Sequence, residues 1–288
     1  MRTNKLYTVG CLEKSPRTRT IGDFEQQWKL FPNPIDDFHS SEEILRDTLQ
    51  GLFDPREILG KRVLEIGSGS GRVLEIIRRF GPSKLVGVEP SDHALVLDRR
   101  FKANPEIKII RARGDEPLGE QFDVCFLIGV LHHIPVPEPV LHNIFKSLAE
   151  DGRLVVWVYG REGISRLGVY VIMALRVITT RVPNRWLRNL STFLAACIRA
   201  YGRCALRTGA MELPLKGYLS QVFLKCSAKK QTEIVFDQLN PRCARYYRKS
   251  ELFEELHSAG FTRIEMVSRH GYSITAVASR ASSSLKKL

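Results

Sequence analysis

The chain has 288 residues, 43% of them hydrophobic and 26% charged, with a formal net charge of +13. That length buries a full core as one large domain or as a domain carrying an insertion, and the composition fits a soluble enzyme. Six cysteines (Cys11, Cys125, Cys197, Cys204, Cys226, Cys243) show neither CxxC nor Cys/His ligand spacing, which speaks against a zinc site or a disulfide framework and predicts buried thiols in a reducing compartment.

No continuous apolar stretch opens the chain, so no secretory signal is expected and the expected compartment is the cytoplasm. Phe24, Trp28 and Phe31 in the run FEQQWKLF either dock an N-terminal helix on the core or fold over a ligand. Residues 63–73, VLEIGSGSGRV, read as an apolar strand carrying Glu65, a turn through Gly67, Gly69 and Gly71, and a helix from Arg72 to Phe80 with Val73, Leu74, Ile76 and Ile77 on its apolar side. Glycines accept positive φ and let backbone approach a bound molecule closely, while a helix start offers unpaired N–H groups. The turn is therefore a ligand cradle. A dinucleotide fingerprint, G-x-G-x-x-G, would need its third glycine where Arg72 or Leu74 stands, so that frame fails.

Lys84 to Val88 gives a second strand, tipped by Glu89-Pro90. A carboxylate there can accept from both hydroxyls of a ribose. Ile107 to Arg113 is a third strand followed by Gly114-Asp115-Glu116, and the stretch Phe122 to Ile134 holds a fourth, with Gly129 and His132-His133 at its end. Glu138 to Ala149 is a helix stopped by Gly152, and Arg153 to Tyr159 a fifth strand. Far downstream come a helix from Ser250 to Ala259 and two short strands, Thr262 to Ser268 and Tyr272 to Ser279. Such alternation implies a doubly wound parallel sheet with ligands at the carboxyl ends of its strands.

The E-x-G-x-G-x-G turn, the Glu89 strand tip, Gly114-Asp115 and the segment FDVCFLIGVLHHI resemble, in order, the motifs of class I S-adenosylmethionine (SAM) dependent methyltransferases. The nearest group in these core motifs is the ubiquinone/menaquinone-type superfamily. FEQQWKLF is similar to the "FG.qW..f" opening of a bacterial small-molecule subgroup, with Asp23-Phe24 where a Phe-Gly pair often stands. Residues 234–247 are similar to its "fDxlnPxxxxyy" stretch. The likeness spans about Ile21 to Arg280 and is strongest from Arg62 to Tyr159.

The resemblance implies an α/β fold: a Rossmann-like, doubly wound seven-stranded sheet with an antiparallel last strand and a mainly helical lid insertion. It implies an N-terminal segment over the cofactor site (1–45), a SAM-binding core (46–160 and 245–281), a helical lid (161–244) and a flexible tail (282–288). Within the implied cofactor set, Glu65 serves the amino-acid end of SAM, and Gly67, Ser68, Gly69 and Gly71 lie under the ribose and methionine. Glu89 with Pro90 takes the ribose, Asp115 or its neighbour Glu116 the adenine amino group, and Gly129 completes the set.

From Arg161 to Arg207 the lid holds nine arginines, no lysine and one acid, Glu162, a net of +8. Arginine forks suit phosphate and carboxylate. Leu187, Leu190, Phe193, Leu194 and Ile198 recur at helical spacing, which predicts amphipathic helices. Three partner readings follow: a solvated face of a small-molecule lid, peripheral contact with an anionic membrane, or RNA, for which no recognised binding motif appears. The apolar run Leu167 to Ile178, interrupted by Arg176, falls short of the roughly twenty residues a spanning helix needs.

A sulfonium methyl is already activated, so the protein must align a nucleophile and, for a hydroxyl or an acidic carbon, remove a proton. His133 and His132 are candidate bases, since imidazole titrates near neutrality. Asp237 and Tyr247 are the other candidates, and no metal-ligand cluster is visible. The expected activity is methylation of O or C on a small acceptor, lipophilic or glycan-linked, with an RNA methyltransferase and a non-catalytic SAM-binding partner subunit as alternatives.

Overall fold

The apolar runs pair into a seven-stranded sheet in a computed structural model that describes residues 6–7, 16–32, 37–162, 165–207 and 215–280. Its strands are β2 (Arg62–Ile66), β3 (Lys84–Val88), β4 (Ile107–Ile110), β5 (Phe122–Ile128), β6 (Leu148–Tyr159), β8 (Arg263–Arg269) and β9 (Ser273–Ser279), in the spatial order β4-β3-β2-β5-β6-β9-β8. The first five in sequence run parallel, and β9 lies antiparallel between β6 and β8. That is the predicted Rossmann-like sheet with its last strand reversed. A two-stranded pair joins β1 (Leu6–Tyr7) to β7 (Arg245–Tyr246).

Parallel strands buried on both faces read as nearly unbroken apolar runs. Val63, Leu64 and Ile66 of β2 accordingly face opposite layers. On one side α5 (Glu138–Ser147) and α10 (Lys249–Ser258) bring Leu141, Ile144, Leu252 and Leu256 onto Leu64 and Leu127. On the other, α2 (Glu42–Leu49), α3 (Arg72–Arg78) and α4 (His93–Arg100) bring Leu45, Ile77 and Leu97 onto Val63 and Phe126.

Two expected boundaries move. The third strand ends at Ile110, not Arg113, because its neighbour β3 ends opposite it at Val88. The fifth begins at Leu148, and Gly152 lies within it, inside a register shift against β5, where a Cβ would stand 2.9 Å from the Ala149 carbonyl oxygen. Gly152 thus serves a close backbone approach and does not stop the helix.

Between β6 and β7 stand the predicted lid helices: α6 (Ser165–Thr179), α7 (Asn184–Arg207), α8 (Lys216–Gln221) and α9 (Ala228–Leu239). The last three share a core of Leu187, Leu219, Phe223, Phe236 and Leu239, into which Phe31 inserts from beyond the end of α1 (Pro16–Leu30), while α6 packs Val169 against Tyr159 and Tyr246. Ser227 caps α9 by accepting from the Lys230 N–H, and the helix gives way after Asn240, which still donates to the Phe236 carbonyl, because Pro241 has no N–H to continue the ladder. Ile234 to Leu239, part of the motif-like 234–247 stretch, is therefore helical.

The expectation of six buried thiols is corrected. Cys125 and Cys226 are buried, Cys197 and Cys204 are exposed on α7, and Cys243 is disulfide-bonded. Spacing along the chain does not report pairing across the fold. Cys11 and the 282–288 tail lie outside the described residues. Among those described, no helix is long and apolar enough to cross a membrane.

Candidate cofactor and acceptor site

A cavity of about 360 Å³ opens at the carboxyl ends of the parallel strands, between α1 and α9. One end is built by the glycine turn. Gly67 and Ser68 donate their N–H groups to the Val88 carbonyl at 2.8 and 3.0 Å, which folds the turn back over β3. Gly67 has φ +74°, and a Cβ there would meet Val130 Cγ2 at 2.5 Å. Trp28 of α1 roofs Gly69, where a Cβ would lie 2.9 Å from the indole. Gly71, by contrast, is not a cavity residue: it opens α3 at φ +76° and packs against Leu97 and Phe101.

The strand-tip carboxylates face this end. Glu89 is 2% exposed, and its two oxygens accept from the N–H groups of Gly69 and Ser91, both at 2.9 Å. The Ser91 hydroxyl also reaches this carboxylate, which keeps lone-pair capacity for a further hydroxyl donor. Burial raises the Glu89 carboxyl above its usual range. Glu65, equally buried, leaves Oε2 without a hydrogen-bond partner, and burial pushes its carboxyl up to about 8. The Ser68 hydroxyl lies beside this carboxyl and opposes the shift, and it has no other partner.

Pro90, Asp115 and Gly129 line the cavity as well. Asp115 is held by a bidentate fork from Arg113, with both contacts at 2.9 Å. Glu116 is not among the lining residues, and its carboxylate accepts from the Arg113 N–H at 2.9 Å.

At the other end, α9 turns Lys230, Glu233 and Asp237 toward the cavity. Their spacing of three and four residues puts them on one helical face. Lys230 Nζ donates to Glu233 at 2.7 Å, and burial raises the Glu233 carboxyl. Asp237 accepts from Gln27 of α1 at 2.9 Å and from the Tyr159 hydroxyl at 2.7 Å, tying α1, β6 and α9 together. Trp157, Tyr159, Tyr218 and Tyr272 give the acceptor end an aromatic lining.

His133 lines the same space. Its Nδ1 lies 2.7 Å from the Cys243 carbonyl oxygen, an atom that only accepts, so Nδ1 carries the proton and Nε2 the lone pair. Burial lowers this imidazole to about 4. The expected titration near neutrality is therefore corrected: the ring is neutral throughout the physiological range because its charged form would be desolvated.

Neither His132 nor Tyr247 is a lining residue. His132 is 1% exposed, has no hydrogen-bond partner on either ring nitrogen, and packs with its ring centroid 3.9 Å from that of Tyr159. The Tyr247 hydroxyl donates to Glu255 at 3.0 Å inside the core. Lys230, Glu233 and Tyr159 escaped the sequence reading. The signal for the first two was present, as polar positions at helical spacing with Asp237.

Residues 38–266 match the model of a family described as "Methyltransferase domain". The chain belongs to this family. Its domain is that of a class I methyltransferase, and the cofactor this domain implies is SAM. It is similar to a tRNA U34 carboxymethyltransferase of Campylobacter lari, 32% identical over 153 residues, which cover 51% of this chain and 53% of that protein. A ubiquinone biosynthesis O-methyltransferase of Salmonella paratyphi A is 28% identical over 133 residues, 44% of this chain and 53% of the relative. The methyltransferase thus spans about half the length of these curated relatives. Among solved structures, the 1,6-didemethyltoxoflavin-N1-methyltransferase of Burkholderia thailandensis superposes with a TM-score of 0.50 at 16% identity, covering 91% of this chain and 88% of that one, and shows the shared fold.

The residues fit the cofactor. The orphaned Glu65 Oε2 lacks a partner that a cationic, hydrogen-bonding amino-acid moiety would supply, and Glu89 retains acceptor capacity for a hydroxyl donor.

Proposed function

We propose that this methyltransferase methylates an oxygen or carbon of a small, amphipathic acceptor, lipophilic or glycan-linked, and that His133 removes the acceptor proton. The observation that carries this reading is the His133 ring: buried in the cavity wall, fixed by the Cys243 carbonyl, and neutral with its lone pair on Nε2. SAM supplies a methyl already activated on a sulfonium. Glu89 accepts from the ribose hydroxyls, Glu65 holds the ammonium end, and Trp28 shuts water out above the glycine turn. Asp237, with Tyr159 and Gln27, orients the acceptor beside His133. The aromatic wall suits an apolar or ring-bearing acceptor body, and Lys230 with Glu233 suits its polar end.

A second reading has its own observation, the similarity to proteins named tRNA U34 carboxymethyltransferases. It makes the acceptor a tRNA base. Incubation with SAM labelled on the methyl, in bacterial extract, separates the two. Label partitioning into small molecules supports the first reading, and label precipitating with RNA overturns it in favour of the second. His133→Asn should lower turnover about a hundredfold or more while leaving affinity for S-adenosylhomocysteine intact. Parental turnover in that variant would remove the base role.

A further inference from the structure

Helix α6 turns an apolar face to solvent. Between Leu167 and Thr179 the only charged residue is Arg176, and it is 2% exposed, its guanidinium donating to the Gln238 carbonyl at 2.5 Å and the Asp237 carbonyl at 3.4 Å at the end of α9. Thr179 donates to the Leu239 carbonyl at 2.9 Å beside it. Both side chains serve the orphan carbonyls of a helix C-terminus. The outward face is left to Tyr170, Val171, Leu175, Val177 and Ile178, with Ile178 67% exposed. Val169 and Met173 pack inward against Tyr159 and Tyr246, so α6 is apolar on both faces, which a helix at a water-facing surface is not.

The next helix has three faces. Leu187, Ser191, Ala195, Gly202 and Ala205 of α7 are buried. At 100° per residue, Trp186, Leu190, Phe193 and Tyr201 form a second apolar stripe, and it is exposed, Phe193 at 66% and Trp186 at 59%. Sequence spacing had grouped Leu190 and Phe193 with the buried Leu187. Flanking that stripe on the solvent side run Arg185, Arg188, Arg203 and Arg207. From Ser165 to Arg207 there are eight arginines and no acid. Isolated exposed apolar residues need no explanation, but contiguous ones mark an interaction surface.

We propose that α6 and α7 seat the enzyme on an anionic lipid bilayer, their apolar stripes entering the acyl boundary and the exposed arginines, Arg181, Arg185, Arg188, Arg203 and Arg207, meeting headgroup phosphates. Aliphatic and aromatic side chains beside long cationic ones match a helix lying in the interface plane, where the arginine stems run along apolar surface and the forks reach phosphate. A second copy of the chain fits poorly, since an isologous contact would bring the exposed Arg181, Arg185, Arg188, Arg203 and Arg207 against their own copies with no carboxylate on either helix to pair them. RNA has no use for Val171, Val177 and Ile178. Helix α9 packs under both α6 and α7 and turns its opposite face to the cavity. Bilayer contact therefore sets the acceptor end of the cavity close to the lipid surface, whichever acceptor chemistry holds.

The test uses the full chain with vesicles of phosphatidylcholine alone and with about one-third phosphatidylglycerol, which supplies the negative surface potential. Trp186 is the exposed indole among three tryptophans, so its emission should shift to the blue on anionic vesicles only. Cosedimentation should weaken as salt rises, because exposed charges are screened. Val171→Ser with Ile178→Ser, and separately Arg185→Gln with Arg188→Gln, should each cut vesicle affinity about tenfold or more while S-adenosylhomocysteine affinity stays parental, which certifies the fold. Equal binding to both vesicle types, or none, overturns the proposal. So does a dimer in sedimentation that Ile178→Ser dissociates, or salt-sensitive tRNA binding tighter than that to anionic vesicles.

Discussion

Cofactor binding should expel a proton from Glu65. This carboxyl is buried beneath the glycine turn with one oxygen unpartnered, and burial moves it from 4.5 to about 8. At pH 7 the group is then about ten parts protonated to one ionised. An ammonium arriving at that oxygen favours the carboxylate, so the complex forms with release of nearly one proton. Affinity should climb about tenfold from pH 6 to 7 and flatten above pH 8. Glu65→Gln cannot release that proton, and the difference between parent and variant isolates Glu65 from any titration of the ligand amine.

The free enzyme gives the opposite sign. A native carboxyl raised above its unfolded value holds its proton more tightly when folded, so stability is full below about 4.5 and is lost as pH rises towards 8, by up to roughly 5 kcal/mol at 1.36 kcal/mol per pH unit. The Gln variant should escape that loss and melt higher than the parent at pH 8 without cofactor. Calorimetry with S-adenosylhomocysteine in buffers of different ionisation enthalpy counts the protons. Equal proton release by parent and variant at pH 7, with affinities that follow pH alike, would refute the reasoning.

Glu89→Ala should remove charge-assisted bonds to the ribose worth about 1.5–3 kcal/mol, a ten- to hundredfold loss in S-adenosylhomocysteine affinity by calorimetry. Gly67→Ala should cost about 1–3 kcal/mol in denaturant melts, since an alanine there carries a positive φ and meets Val130 at 2.5 Å. His133, lowered to about 4, binds its proton more weakly when folded, so the stability it contributes is full above about 6.5 and lost as pH falls towards 4. His133→Asn should blunt that acid loss, by up to roughly 3 kcal/mol, and the parent's pH–rate profile should show no limb from this group between about pH 5 and 8.

The cofactor end was legible because its chemistry is local. Within residues 63–73 the strand, the carboxylate and the positive-φ glycines are neighbours in sequence as well as in space, so the pattern of residue types carried the geometry. The same locality ordered the parallel strands, each of which announces itself as an apolar run ending near a polar or glycine-bearing turn. What spacing could not separate was Gly71 from Gly67 and Gly69, since a glycine that cradles a ligand and one that clears Leu97 and Phe101 look alike in a string.

The acceptor end is non-local, and that is why it was half seen. Asp237 joins His133 only because α9 folds back over the sheet, and its partners Gln27 and Tyr159 come from 210 and 78 residues away. Periodicity reports which residues share a helical face but not which face the fold buries. In α6 that choice is made by one residue: Arg176 can satisfy the carbonyls ending α9 only by pointing inward, and its inward turn forces Val171, Val177 and Ile178 out. An apolar run that reads as core by composition thus becomes surface through a polar debt at the end of another helix, and a surface so made is stable in water only at the cost of exposed apolar area that a lipid interface would remove.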